Sequence, residues 1–245
     1  MVLEVVHRGK CGDVIYSMAA LRGHWKSKGE KTMVYLADNG LFGFPIEEAN
    51  RVIPLLKSQE YIEDAVYIQE GPPAGAKDLM TIAVDEGEGH HVSALINTAQ
   101  YACHLLGVDE SWAQQQWLEI EPEGEYTAVF NRTPRNQNAN VGWPDIVADH
   151  PEGRFVGLPD EHEEFERITG VSFMFAETPD LLAVARIIAG TRVFIGNQSA
   201  PLAIAHGLHR QVIVETAIDY PNAIFKRQGT SYLGVPSSIV DQYGW

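Results

Sequence analysis

The sequence is poor in cysteine, in positive charge and in long apolar runs. Its two cysteines, Cys11 and Cys103, lie far apart in 245 residues. Two such thiols make neither a disulfide framework nor a zinc motif, so a reducing, cytoplasmic home is expected. Only 18 Lys and Arg stand against 33 Asp and Glu, a formal net charge of -15. A surface that acidic repels long polyanions, but it says little about a small ligand, which feels local charge. No apolar run is long enough to span a bilayer. The first residues show no basic region followed by a long apolar core, so no signal peptide is expected. None of the 9 histidines falls in HExxH or another metal-ligand spacing, and no metal is expected. Phosphate loops of the GxxxxGK[ST] type and GxGxxG fingerprints are missing too. There is no internal repeat with the period of a solenoid or propeller.

What is present is an ordinary globular balance, 45% hydrophobic and 21% charged. The length suits one large α/β domain or two small ones. "VLEVV" (2–6) reads as a buried strand and "HRGKCG" as a loop. From Asp13 on, Val14, Met18, Leu21 and Trp25 recur at helical spacing, with Gly29 as a stop. "TMVYLA" and "TIAVD" read as strands, "HHVSALINTAQYACHLLG" as an amphipathic helix and "QWLEI" as a short strand. "EPEGE" (121–125), charged and holding Pro122 and Gly124, is the linker and hinge candidate. The alternation then restarts: "YTAVF" strand, "WPDIVADH" helix, "FVGL" strand, "EHEEFERITG" helix, "VSFMF" strand. "DLLAVARIIAG", "RVFIG", "SAPLAIAHGL" and "QVIVE" continue it as helix, strand, helix, strand. Such alternation predicts parallel sheets with helices on both faces. Here it predicts two halves facing each other across a cleft, with ligands outside the carboxyl ends of the strands.

Four stretches fall at such ends. In "HRGKCGD", Asp13 is either the cap of a helix or a carboxylate aimed into the cleft to take a proton from a hydroxyl. His7, Arg8 and Lys10 precede it. In "FIGNQSAPLAIAHGL", Asn197, Gln198 and Ser199 cap a helix whose amino terminus is a ready phosphate site. In "NRTPRNQNANVGWP", Arg132 and Arg135 stand out in an acidic chain and can grip phosphate oxygens. In "VGLPDEHEEFERI" most of the acids read as a solvated helix face, but Glu161 lies near the strand end and can accept from a ribose diol.

In this order, the stretches resemble the heptosyltransferase-like glycosyltransferases of the GT-B fold, glycosyltransferase family 9 among them. "GDVIYSMAAL", the Trp143-Pro144 pair, "GLPDE" and "IGNQSAPLAIA" carry the resemblance. It covers most of the chain and is strongest over 131–215. It implies two Rossmann-like domains and makes Asp13 the general base. It places Arg132 or Arg135 on the donor phosphates, Glu161 on the donor ribose, and Gln198 and Ser199 on the diphosphate. The family's aspartate, glycine and histidine in the last motif are Gln198, Ala200 and Ala203 here, so heptose is not implied.

The expected protein is an inverting, metal-independent glycosyltransferase without a cofactor, moving sugar from a nucleotide-diphosphate donor to a hydroxyl of a glycan or other small acceptor. Residues 1–122 form the expected acceptor-side domain, with His7, Arg8 and Lys10 near the acceptor. Residues 123–225 form the donor-side domain, and 226–245 a tail crossing back to the first. Two alternatives stand beside this. One is a phage-type enzyme glycosylating a hydroxymethylated DNA base, docked by a basic strip of Arg8, Lys10, Arg22, Lys26, Lys28 and Lys31. The other is a degenerate GT-B protein that binds a nucleotide or a partner, motivated by Gln198, Ala200 and Ala203.

Overall fold

The computed structural model describes residues 1–38, 44–79, 97–217 and 223–243. Two parallel sheets organise them. The first is built from β1 (Leu3–His7), β2 (Thr32–Ala37), β3 (Ile62–Ile68) and the two-residue β4 (Lys77–Asp78), in the order β3-β2-β1-β4. The second is built from β5 (Tyr126–Asn131), β6 (Arg154–Val156), β7 (Met174–Ala176), β8 (Thr191–Asn197), β9 (Gln211–Glu215) and β10 (Thr230–Leu233). Its order is β10-β9-β8-β5-β6-β7. Every ladder is parallel, so within each sheet the carboxyl ends share one edge. Strand order reverses at β1 in the first sheet and between β5 and β8 in the second. In open parallel sheets such switch points are where ligands bind.

Helices α1 (Cys11–Lys28), α2 (Ile46–Lys57) and α3 (Thr98–Leu106) serve the first half, with a 3-10 turn at Glu110–Gln114. Helices α4 (Trp143–Ala148), α5 (Pro159–Thr169), α6 (Leu181–Ala189) and α7 (Ala200–Gly207) serve the second, followed by α8 (Ser237–Tyr243). Helix α1 is the pivot. Val14 through Leu21 are all buried, because α1 packs on its own sheet and also against α7. Gly12 lies at that contact: a Cβ there would stand 3.8 Å from the Ala200 backbone, at ordinary van der Waals distance. One apolar cluster therefore runs through both halves, from Val5 and Met18 through Trp117 to Ile188, Ala203 and Phe225. A second core of Phe130, Trp143, Phe155, Phe165 and Phe173 lies with α4 and α5, its rings 4.9–5.6 Å apart. Such pairs add about 0.5–1.5 kcal/mol each beyond area burial.

The expected elements of the second half are all present, and some expectations for the rest change. "QWLEI" forms no strand. Its backbone bonds elsewhere: the Trp117 and Leu118 N–H groups donate to the Gly207 carbonyl at 3.0 and 2.9 Å, and the Trp117 carbonyl accepts from the Tyr61 hydroxyl at 2.6 Å. Residues 230–233, expected within a returning tail, extend the second sheet as β10 beside β9. Strands β3 and β4 were not expected. The expected strand at 81–85 and the residues 90–96 of the expected long helix lie outside the described residues. The helix itself runs from Thr98, with Asn97 and Gln100 closing a capping box.

Candidate active site

The first half contributes the turn from β1 into α1. His7 ends β1, 2% exposed, and its Nδ1 accepts from the Gly9 N–H at 3.1 Å. Burial lowers its pKa to about 3, against a smaller opposing contribution from the Asp13 backbone, so the ring is neutral. Arg8 donates to Asp78 and Lys10 to Glu48, each at 3.1 Å. The expected acceptor-side charges are thus tied within their own half.

Asp13 is not the cap of α1. The N-cap is Lys10, without a side-chain cap bond, and Asp13 sits three residues on, in the first turn. Its carboxylate reaches back to the Lys10 N–H, the second half of a capping box. Asp13 keeps part of its surface open, while its carboxyl lies deep among protein atoms. Burial raises its pKa to about 6, with the Lys10 N–H and the positive Arg135 pulling the other way. A hydrogen-bonded cap carboxylate is ordinarily acidic; here desolvation outweighs that effect.

In the second half, β5 ends at Asn131, and the loop to α4 follows. Arg132 is committed: Nε and Nη2 meet Oε2 and Oε1 of Glu215 at 2.8 and 3.0 Å. Glu215 ends β9, fully buried, and also accepts from the Asn138 N–H at 2.8 Å and the Trp143 indole at 3.1 Å. Asn197 is committed as well. Its Oδ1 accepts from the Thr133 N–H at 3.0 Å, and its Nδ2 donates to the Thr133 and Arg135 carbonyls at 2.9 and 2.6 Å. Gln198 turns its Oε1 to the Ala217 N–H at 2.9 Å. Asn136, in a left-handed conformation at φ 55, donates to the Gln198 carbonyl at 3.1 Å. With its neighbours fixed in this way, Arg135 leaves the loop with an exposed side chain.

Ser199 caps α7. Its hydroxyl donates to Asn131 Oδ1 at 2.8 Å and accepts from the Leu202 N–H at 3.5 Å. Asn131 in turn donates to the Val156 carbonyl at 2.9 Å, which ties the ends of β5, β6 and β8 together. After β6, Glu161 repeats the placement of Asp13. It lies in the first turn of α5, and its Oε2 accepts from the Leu158 N–H at 2.9 Å. Gly157, at φ 149, makes room, since a Cβ there would fall 2.6 Å from that oxygen. Burial raises the Glu161 pKa, and Arg51 and Arg135 lower it.

These pieces converge. Gly12, next to Asp13, stands against Ser199 and Ala200. Arg135 acts on both Asp13 and Glu161. The positive charge of Arg51 on α2, in the first half, is also felt at the Glu161 carboxyl; α2 starts beside α1, where the Cys11 thiol donates to the Glu48 carbonyl at 3.5 Å. The arrangement pairs a carboxylate poised to accept a proton with a cation and the positive end of a helix dipole. A cavity of about 410 Å³ lies behind the 132–143 loop, lined by Arg132, Asn138, Trp143 and Glu164, and none of Asp13, Arg135 or Glu161 borders it. Among the described residues no three His, Cys, Asp or Glu converge as metal ligands. No helix there is long and apolar enough to cross a membrane.

No protein-family model and no curated protein matches the chain. Solved structures do. E. coli heptosyltransferase WaaC with ADP superposes with a TM-score of 0.68 at 13% identity, over 100% of this chain and 96% of that one. E. coli ADP-heptose LPS heptosyltransferase II gives 0.61 at 11% identity, over 98% and 94%. A family 9 glycosyl transferase from Veillonella parvula gives 0.62 at 12%, over 95% and 88%. The chain has the GT-B fold. In this GT-B frame, the turn holding Asp13 lies against Ser199 and Ala200, and the charge of Arg135 is felt at both Asp13 and Glu161. The side chains of Arg132, Asn197 and Gln198 brace the neighbouring loops, and His7, Arg8 and Lys10 bond within the first half. Glu215 and Arg51 were missed in the sequence. A charged residue closing the apolar run "VIVE" at a strand's carboxyl end was the available signal for Glu215.

Proposed function

We propose that this GT-B protein is an inverting, metal-independent glycosyltransferase using a nucleotide-diphosphate sugar. The observation that carries the reading is Asp13: a carboxyl with its pKa raised to about 6, beside the start of α7 and within the field of Arg135. Asp13 takes the proton of an acceptor hydroxyl as its oxygen attacks the anomeric carbon. The bond to the diphosphate oxygen breaks with its electron pair, and configuration inverts. Arg135 and the positive end of the α7 dipole stabilise the charge that develops on the leaving group. Glu161 accepts from the donor ribose. Residues 1–122 hold the acceptor and 123–225 the donor. WaaC, solved with ADP, supports a nucleoside diphosphate as the shared donor element.

The test is turnover. The protein is incubated with a panel of nucleotide sugars and hydroxylated acceptors, and release of nucleoside diphosphate and transferred sugar are both measured. Transfer with inversion bears the reading out. Tight nucleotide binding without transfer or hydrolysis across the panel favours the binding-protein reading that Gln198, Ala200 and Ala203 motivate. A duplex acceptor finds little support, since Arg8, Lys10 and Arg22 of the basic strip already pair with Asp78, Glu48 and Glu119.

A further inference from the structure

The loop that carries Arg135 is fastened to one buried carboxylate. Glu215 is 0% exposed and receives four donors from that loop and its end: Arg132 Nε and Nη2, the Asn138 N–H and the Trp143 indole N–H. An ionised carboxylate offers about four lone-pair sites, so its acceptor capacity is filled by this one segment. Asn138 adds bonds to the Thr216 and Gly234 carbonyls at 2.8 and 3.0 Å. On the other side of Arg135, Asn197 holds the carbonyls of Thr133 and Arg135. The backbone on both sides of Arg135 is therefore fixed before any ligand arrives. A side chain held in this way loses less freedom on binding than one on a loose polar loop.

We propose that Glu215 is a positioning residue: it fixes the 132–143 loop and so presents Arg135 to the leaving diphosphate. The proposal rests on the reading of Arg135 given above. Glu215 touches no substrate and acts through Arg135. Its negative charge also occupies Arg132, which leaves Arg135 as the arginine of this loop that meets the anion.

The test is a double-mutant cycle read by calorimetry, with inorganic pyrophosphate, ADP and UDP as ligands and adenosine and uridine as controls. Glu215→Gln keeps the shape and loses the charge. It is expected to weaken pyrophosphate and nucleoside diphosphate binding by about 10-fold or more, the scale of one charge-assisted bond, with nucleoside binding unchanged. In an Arg135→Ala background the same substitution is expected to have no further effect. A merely structural role would weaken the nucleoside as well and add to the Arg135→Ala loss. Trp143→Phe, which removes one of the four donors and keeps a ring, is the milder variant should Glu215→Gln fail to fold. A smaller loss, again absent in the Arg135→Ala background, is expected of it. Wild-type affinity in a folded Glu215→Gln or Trp143→Phe protein, or additive losses in the cycle, would overturn the positioning role while leaving Arg135 in place. A wild-type protein that binds none of the phosphate ligands would overturn the site itself, and this role with it.

Discussion

Arg132 meets Glu215 through two points of its guanidinium, Nε to Oε2 at 2.8 Å and Nη2 to Oε1 at 3.0 Å, while Arg135, three residues further along the same loop, forms no ion pair among the described residues. The two arginines should therefore respond oppositely to truncation. Arg135→Ala is expected to weaken nucleoside diphosphate binding by roughly 1.5–3 kcal/mol, the worth of a hydrogen bond to a charged group, with little change in Tm. Arg132→Ala leaves a buried carboxylate short of its main partner and is expected to destabilise the fold by roughly 2–5 kcal/mol. Calorimetry and thermal unfolding of both variants decide it. An Arg135→Ala protein with wild-type affinity would return that side chain to solvent.

Gly157 offers a second test. Its φ of 149 and the 2.6 Å approach of Glu161 Oε2 leave no place for a methyl group. Gly157→Ala should push the Glu161 carboxyl away from the Leu158 N–H and strain the backbone, at roughly 1–3 kcal/mol. Lower Tm together with weaker binding of a nucleoside is the expected pair of results. If Glu161 has no part in binding the ribose, Tm will fall and nucleoside affinity will not.

The second half was legible in the sequence because its strands are short, apolar and separated by well-capped helices. The first half hid more. Strand β3 lies at the edge of its sheet, and Glu63 and Asp64 break its apolar pattern. Strand β4 has two residues and no pattern at all. The cleft acids could be placed from strand ends, but the roles of the two arginines could not. Arg132 and Arg135 look alike locally. The residue that separates them, Glu215, lies 83 positions away along the chain. Asp13 was ambiguous for a related reason: a cap and a first-turn acid differ by three residues, and burial, which sequence does not report, sets its pKa.

That pKa has a stability consequence. The ordinary aspartate value is 3.8, and Asp13 is raised to about 6. Between these values the native state holds a proton that the unfolded chain has lost, so this group's contribution to stability falls as pH rises. It is fully present below about pH 4 and lost above about pH 6. Asp13→Asn removes the titration and keeps an acceptor for the Lys10 N–H. The variant should be more stable than wild type at pH 7–8, by about 1–3 kcal/mol, and the difference should vanish near pH 4. Denaturant unfolding at both pH values measures it. A constant difference across the range would show that the Asp13 carboxyl is not buried as described.

The same substitution bears on the chemistry. Asp13→Asn keeps the size of the side chain and its bond to the helix turn, but amide nitrogen and oxygen do not accept a proton at neutral pH. If Asp13 serves only α1, sugar transfer should continue at close to the wild-type rate. If it is the base, kcat should fall by about 10²–10⁴-fold, the usual worth of general base catalysis. Nucleoside diphosphate affinity should stay near wild type, because Arg135 and the α7 amino terminus are untouched. The pH profile adds an independent check. The base must be ionised to work, so wild-type kcat/KM should rise with pH through about 6, and Asp13→Asn should lose that limb along with the rate. A more stable protein that binds donor normally, turns over slowly and has lost its acidic limb is the expected combination. If Asp13 served only the α1 turn, the gain in stability would remain, but turnover and the acidic limb would be unchanged. An Asp13→Asn protein with wild-type turnover would leave Asp13 as a residue of the helix turn and move the search for the base to another residue lining the cleft.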